Sequence, residues 1–127
     1  MRLRFLADNY SVCQLVSDEP IPDWINVKND GPIVAVLRTQ EELTVVAPSH
    51  CVPTGIKSSD GWRCFRVVGE MEFDIVGVIA GISKVLAESK IPIFSLSTYD
   101  TDYFLVANDN CELAQAALTE SGYEFEV

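Results

Sequence analysis

The stretch SLSTYDTDYFLV, residues 95–106, decides the fold. An alternating run enters a tight acidic turn and a second alternating run leaves it, which is the mark of a β-hairpin. A nearly matching layout occurs sixty residues earlier. Residues 32–47 read PIVAVLRTQEELTVVA, and residues 92–107 read PIFSLSTYDTDYFLVA. Laid over each other without a gap, the windows agree at Pro32 and Pro92, Ile33 and Ile93, Val46 and Val106, and Ala47 and Ala107, while Val36 and Leu43 fall opposite Leu96 and Tyr103. A shared strand-turn-strand pattern with no register slip is what a duplicated supersecondary unit leaves, although any two hairpins alternate. Two related modules are therefore expected, residues 1–61 and 62–127, the second more elaborate.

The later half reads most clearly. Asp74 is placed to cap a helix from Ile75 to about Ser89, whose apolar stripe is Ile75, Val78, Ile79, Ile82, Val85 and Leu86. Gly77 and Gly81 fall four apart on that predicted helix, each at a cost of about 1 kcal/mol relative to Ala, so a close approach is expected there. The approach is either helix-on-sheet packing or clearance for a ligand or partner chain beside Gly77. Strands are predicted over residues 90–97 and 102–107, a helix over 111–121 stopped by Gly122, and a last strand over 123–127. With a strand over residues 62–68, which serves both halves, the order is β-α-β-β-α-β, a ferredoxin-like unit. Upstream, strands are expected over residues 2–7 and 11–16 around a break at Asp8-Asn9. Pro20, Pro22 and the Asn29-Asp30-Gly31 cluster leave room only for a short helix over residues 23–27. Residues 48–60 read as loop with a turn or short strand near Cys51 and Val52.

Composition narrows the function classes. Of 127 residues, 48% are hydrophobic and 22% charged, which argues against disorder. Modules of about 60 residues bury little surface alone, so they are expected to share a core or an interface. The net charge of −10, with no basic run among nine Lys and Arg, repels a phosphate backbone and argues against nucleic acid. No apolar run approaches a membrane span, and the N-terminal apolar stretch is short for a signal peptide, so the expected location is cytoplasmic. Cys13, Cys51, Cys64 and Cys111 form no CxxC, and the single His50 lacks a nucleophile or spaced carboxylate, so neither a metal site nor a catalytic site is expected. No cofactor motif is present either.

The segment GEMEFDIVGVIAGISKVLAESKIPIFSLSTYDTDYFLVANDNCELAQAAL, above all FDIVGVIAGIS and SLSTYDTDYFLV, resembles the ACT-domain family. In particular it looks like small bacterial two-module proteins similar to the ACT domains of eukaryotic arginine sensors and, more distantly, of aspartate kinases. YSVCQL, PIPDW, TQEELTVV and WRCFRV extend the resemblance over the first half. It implies an α+β fold of tandem ferredoxin-like (βαββαβ) ACT modules, the first abbreviated, with antiparallel sheets and helices on one face. It also implies amino-acid binding between modules, regulation of a separate protein, and a homodimer. The implied ligand site comprises Glu70, Met71, Phe73, Asp74, Ile75, Val76, Gly77 and Val78 with the facing hairpin residues Ser97, Thr98, Asp100, Thr101 and Asp102. Helix N–H groups would take a carboxylate there, although the Asp74 carboxylate competes for them, and Asp74, Asp100 or Asp102 would take an ammonium. Asp in a hairpin also serves turn backbone in water. The first module lacks a counterpart of FDIVGV, which assigns it a structural or dimerising role. The competing expectation is a constitutive oligomerising or protein-interaction module with no ligand.

Overall fold

The structure, a computed structural model, describes residues 1–25, 33–69 and 76–126. Two compact units are distinguished, one formed by Met1–Ala7 with Arg63–Val127, the other by Asp8–Trp62. Two strands, β1 (Arg2–Leu15) and β4 (Ser58–Val67), run through both.

The larger unit adds α1 (Val78–Glu88), β5 (Phe94–Ser97), β6 (Asp102–Ala107), α2 (Cys111–Glu120) and β7 (Glu124–Phe125). From β4 onward this is the expected β-α-β-β-α-β order. Its sheet order is β7-β1-β4-β6-β5, so the first half of β1 is inserted between β7 and β4. β7 runs parallel to β1, with Arg2 opposite Glu124 and Leu3 opposite Phe125. Alternate strand residues Leu3, Phe65, Val67, Phe104 and Val106 meet Ile82 and Leu86 of α1 and Ala114 and Leu118 of α2 in one buried cluster. The period-2 and period-3.6 patterns thus converge, and both helices cover one face. The Phe65 ring stacks on Phe104 at 5.2 Å and meets Phe5 and Phe125 edge-on.

Both helices stop by the same device. Lys90 N–H donates to Ala87 and Ile91 N–H to Leu86, while Gly122 N–H donates to Thr119 and Tyr123 N–H to Leu118. These are Schellman ends, which require a left-handed residue. Gly122 supplies φ 102° without strain, as expected from sequence, whereas α1 ends on Lys90 at φ 60°. That turn delays β5 to Phe94, four residues later than the expected start.

In the smaller unit, β2 (Ala35–Arg38) and β3 (Leu43–Pro48) give the order β2-β3-β1-β4. Trp24, Ile25, Val52 and Ile56 pack over buried Cys13, Val45 and Ala47, so irregular chain covers this face. Arg38 fastens it by donating to the carbonyls of Ser17 and, at 2.7 Å, Glu19. Asp23 and Trp24 form a turn, and the rest of the short helix expected over residues 23–27 lies outside the described residues apart from Ile25.

Asp8-Asn9 does not interrupt β1. Residues from Tyr10 to Leu15 pair with β3, and β4 lies along the other side, with bonds from Val68 N–H to Arg2 and from Gln14 N–H to Lys57. Pairing with β4, reinforced by β3 from Tyr10 onward, overrides the turn preference of an Asp-Asn pair. β4 likewise begins at Ser58, inside the expected loop.

The two hairpins close alike, but in a different register from the gap-free overlay. Arg38 pairs with Leu43 and Ser97 with Asp102, an offset of 59 rather than 60. The elements that follow keep this offset: β3 leads into a 3-10 turn at Ser49–Cys51 and β6 into one at Asn108–Asn110. The correct equivalence aligns Thr39 with Thr98. Each Thr N–H and hydroxyl bonds the carbonyl three residues on, at 2.8 and 3.2 Å in both turns, and each hydroxyl accepts the returning N–H. A one-residue slip exchanges the faces of a strand, so the four-identity alignment puts residues of one sheet face opposite residues of the other.

Candidate functional site

The expected site has two parts. Of the loop part, Glu70, Met71, Phe73, Asp74 and Ile75 lie outside the described residues. Val76 is exposed, Gly77 is the N-cap of α1, and Val78 is its first helical residue. Gly77 therefore stands before the helix rather than inside it. Its φ of 85° is left-handed, a conformation that favours glycine, and among the described residues a Cβ there would meet nothing within 4 Å. The close approach is at Gly81, where a Cβ would lie 2.8 Å from the Tyr123 hydroxyl. Helix packing rather than ligand clearance accounts for it. The first turn-closing bond runs from Gly81 N–H to Gly77 O at 2.8 Å. Gly77 brings no side chain to the preceding N–H groups, which a helix start leaves without an intrahelical acceptor.

The hairpin part is knit together by its own side chains. Ser97 Oγ donates to Asp102 Oδ1 at 2.7 Å, and Asp102 is 8% exposed. Thr98 is committed to the turn. The buried Thr101 hydroxyl donates to Val67 O at 2.8 Å. That bond sets the hairpin turn against the end of β4. Asp100 stands exposed in the turn. Ser97, Thr98, Thr101 and Asp102 are thus brought together, with Asp102 the one buried carboxylate among them.

Other chemistry was not legible from spacing. Buried Ser11 donates to Asp60 at 2.7 Å, Ser58 donates to the same oxygen at 2.8 Å, and Ser49 lies 2.8 Å from Ser11. Ser11 has spent its proton, so Ser49 is the donor in that pair. The two hydroxyls hold the Asp60 carboxyl below the usual Asp range. Ser11 lies 38 residues from Ser49 and 49 from Asp60, too far for a local motif to connect them. All four cysteines are free, and burial pushes the Cys64 thiol up to about 12, offset only in part by a backbone hydrogen bond involving Phe104. Cys13 is also raised, by burial and by the charge of Asp60. His50 sits exposed in its 3-10 turn. Among the described residues no three His, Cys, Asp or Glu side chains group to hold a metal, and no helix is long and apolar enough to cross a membrane.

A family described as the ACT domain matches residues 57–120, half of the chain. The chain belongs to the ACT-domain family. A separate family of N-terminal domains matches residues 8–55, within the smaller unit. Among solved structures, a structural-genomics protein from Agobacterium tumefaciens is similar at 30% identity, covering 98% of this chain and 91% of that one, with a TM-score of 0.89. A protein of unknown function from Vibrio cholerae, described as a possible transport protein, is 23% identical over 94% and 88%, TM-score 0.76. The ligand-free regulatory subunit of aspartate kinase from Thermus thermophilus shares the fold at 9% identity over 91% and 93%, TM-score 0.65. The ACT fold is a regulatory one, typical of domains that bind small ligands such as amino acids and that oligomerise.

Proposed function

We propose that this ACT protein binds an amino acid or similar small zwitterion and regulates a separate protein without catalysing a reaction. The supporting observation is the Thr101–Val67 bond, which joins the hairpin carrying Ser97 and Asp102 to the strand leading into the α1 start. A ligand carboxylate would take the N–H groups after Gly77, where unpaired donors and the helix dipole both favour an anion. An ammonium would take Asp102, already oriented by Ser97. Residues 70–76, with Asp100 and Thr101 at the turn, would complete the surround. On this reading the repeated hairpins belong to tandem ACT modules, residues 1–61 and 62–127, in a cytoplasmic homodimer.

Calorimetric titration with the twenty proteinogenic amino acids tests the proposal. Saturable binding weakened about tenfold or more by Asp102→Ala, with Ser97→Ala weaker in effect, is the expected result. Silence up to about 5 mM ligand, where binding is worth only about 3 kcal/mol, refutes it. The second reading is a constitutive oligomerising or protein-interaction module without a ligand. Its specific support is the exposure of Val76 at 90% and Ile79 at 40% on either side of Gly77 and Val78.

A further inference from the structure

The larger unit contains a groove of about 610 Å³ that the amino-acid site does not use, lined by the α2 start, β7, Phe5 and Arg63. That volume lies within the range of small-molecule pockets. Its lining carries three carboxylates, Asp109, Glu112 and Glu126, against one cation, Arg63. Arg63 is already engaged: Nη2 donates to Leu6 O at 3.0 Å, and the guanidinium lies 5.4 Å from the Phe5 ring centre. Phe5 in turn stacks on Phe125 at 5.3 Å, giving the groove an aromatic wall.

Among the described residues two lining atoms are buried without a hydrogen-bond partner, Nε of Arg63 and Oε2 of Glu126. The Glu126 Oε1 atom has a long 3.8 Å approach from the mostly exposed Arg2. A buried donor and a buried acceptor left unpaired are each costly, and a charged group more so. An occupant that relieves both must offer an acceptor to Arg63 and a donor to Glu126, and a carboxylate oxygen with a cationic nitrogen does so through the stronger, charge-assisted bonds. The surplus of acids over Arg63, extended by Asp109 and Glu112 at the α2 start, favours an occupant with more positive than negative charge.

We infer that this groove is a second ligand site, separate from the one proposed above, for a small diamino carboxylate. Its carboxylate accepts from Arg63 Nε–H, one ammonium donates to Glu126 Oε2, and the other is drawn to Asp109 and Glu112. Its carbon chain lies along Phe5 and Phe125, with Gln115 at the helix side.

The test is backbone amide NMR of the full chain titrated with ornithine, putrescine and norvaline. Putrescine is ornithine without the carboxylate, and norvaline is ornithine without the terminal ammonium. Ornithine is expected to shift the amides of Glu112, Gln115 and Glu126, with either analogue bound about tenfold or more weakly. Glu126→Gln is expected to weaken ornithine about tenfold, and Glu112→Gln, on the helix surface, to weaken it less while leaving the fold intact. Asp102→Asn is expected to leave these shifts unchanged, which separates this site from the amino-acid site. The inference is overturned if ornithine leaves the α2 and β7 amides unmoved at about 5 mM, if putrescine or norvaline binds as well as ornithine, or if Asp102→Asn abolishes the shifts while Glu126→Gln and Glu112→Gln do not.

Discussion

Residues 62–127, the C-terminal module as delimited by sequence, are expected not to fold without the first seven residues of the chain. The reason is the insertion of β1 between β4 and β7. Removing it takes away Leu3, fully buried in the helix-facing cluster, Leu6 at 8% exposure, and Phe5, which contacts three other rings or cations. At about 2 kcal/mol for each buried side chain, and about 1 kcal/mol for each of the bonds Glu124 N–H to Met1 O, Glu126 N–H to Leu3 O, Val68 N–H to Arg2 O and Arg63 to Leu6 O, the loss is on the order of 10 kcal/mol. That equals or exceeds most of the ~5–15 kcal/mol that a whole domain retains. A fragment of residues 62–127 should therefore show a disordered circular dichroism spectrum and collapsed amide dispersion, and a synthetic peptide of residues 1–15 should restore both. In the intact chain, Leu3→Ala should cost about 2–5 kcal/mol in urea unfolding. A fragment that unfolds cooperatively by itself, with native-like dispersion, would refute the reasoning and show that β7 can pair with β4 directly.

Three further outcomes are expected. Lys90→Gly should raise stability by about 0.5–1 kcal/mol, because relief of left-handed strain exceeds the chain entropy glycine adds to the unfolded state; the midpoint should rise by a few degrees, and Gly122→Ala at the equivalent end of α2 should lower it. Gly81→Ala should be close to neutral alone, its helix-propensity gain of about 1 kcal/mol offset by the contact with the Tyr123 hydroxyl; in a Tyr123→Phe background the same substitution should become stabilising, and additivity of the two in denaturant unfolding would contradict the contact. Asp60 has a folded-state pKa below its unfolded value, so its contribution is complete above about pH 4 and lost as pH falls through the folded value. Thermal midpoints measured from pH 7 down to about pH 2 should fall less steeply for Asp60→Asn than for the wild type, and parallel curves would count against the Ser11–Asp60–Ser58 network.

Much of the larger unit is legible locally. β6 begins at the expected Asp102, and α2 spans Cys111–Glu120 and ends at the expected glycine, because an alternating run, an amphipathic run and a glycine stop are written within a few residues of one another. The start of α1 is not. An Asp three residues before Gly77 reads as a cap, yet the left-handed Gly77 is the N-cap observed, and a glycine offers no periodicity from which to read its φ. The hairpin register misled for a related reason. Overlaying identities favoured an offset of 60, whereas hydrogen bonding follows the Thr39 and Thr98 turns at 59. For the candidate site, residue types were readable, but commitments were not: Thr101 is spent on Val67 and Ser97 on Asp102.

By itself the sequence determined the β-α-β-β-α-β order, the apolar faces of its helices and the ACT-family membership, since each rests on short-range pattern or on motif. Only the tertiary structure decided that β1 is one strand serving both units, that it separates β7 from β4, and that Arg63 and Glu126 face one groove. Those facts depend on pairing between residues tens of positions apart, and the free energy of such pairing appears only when both partners are in place.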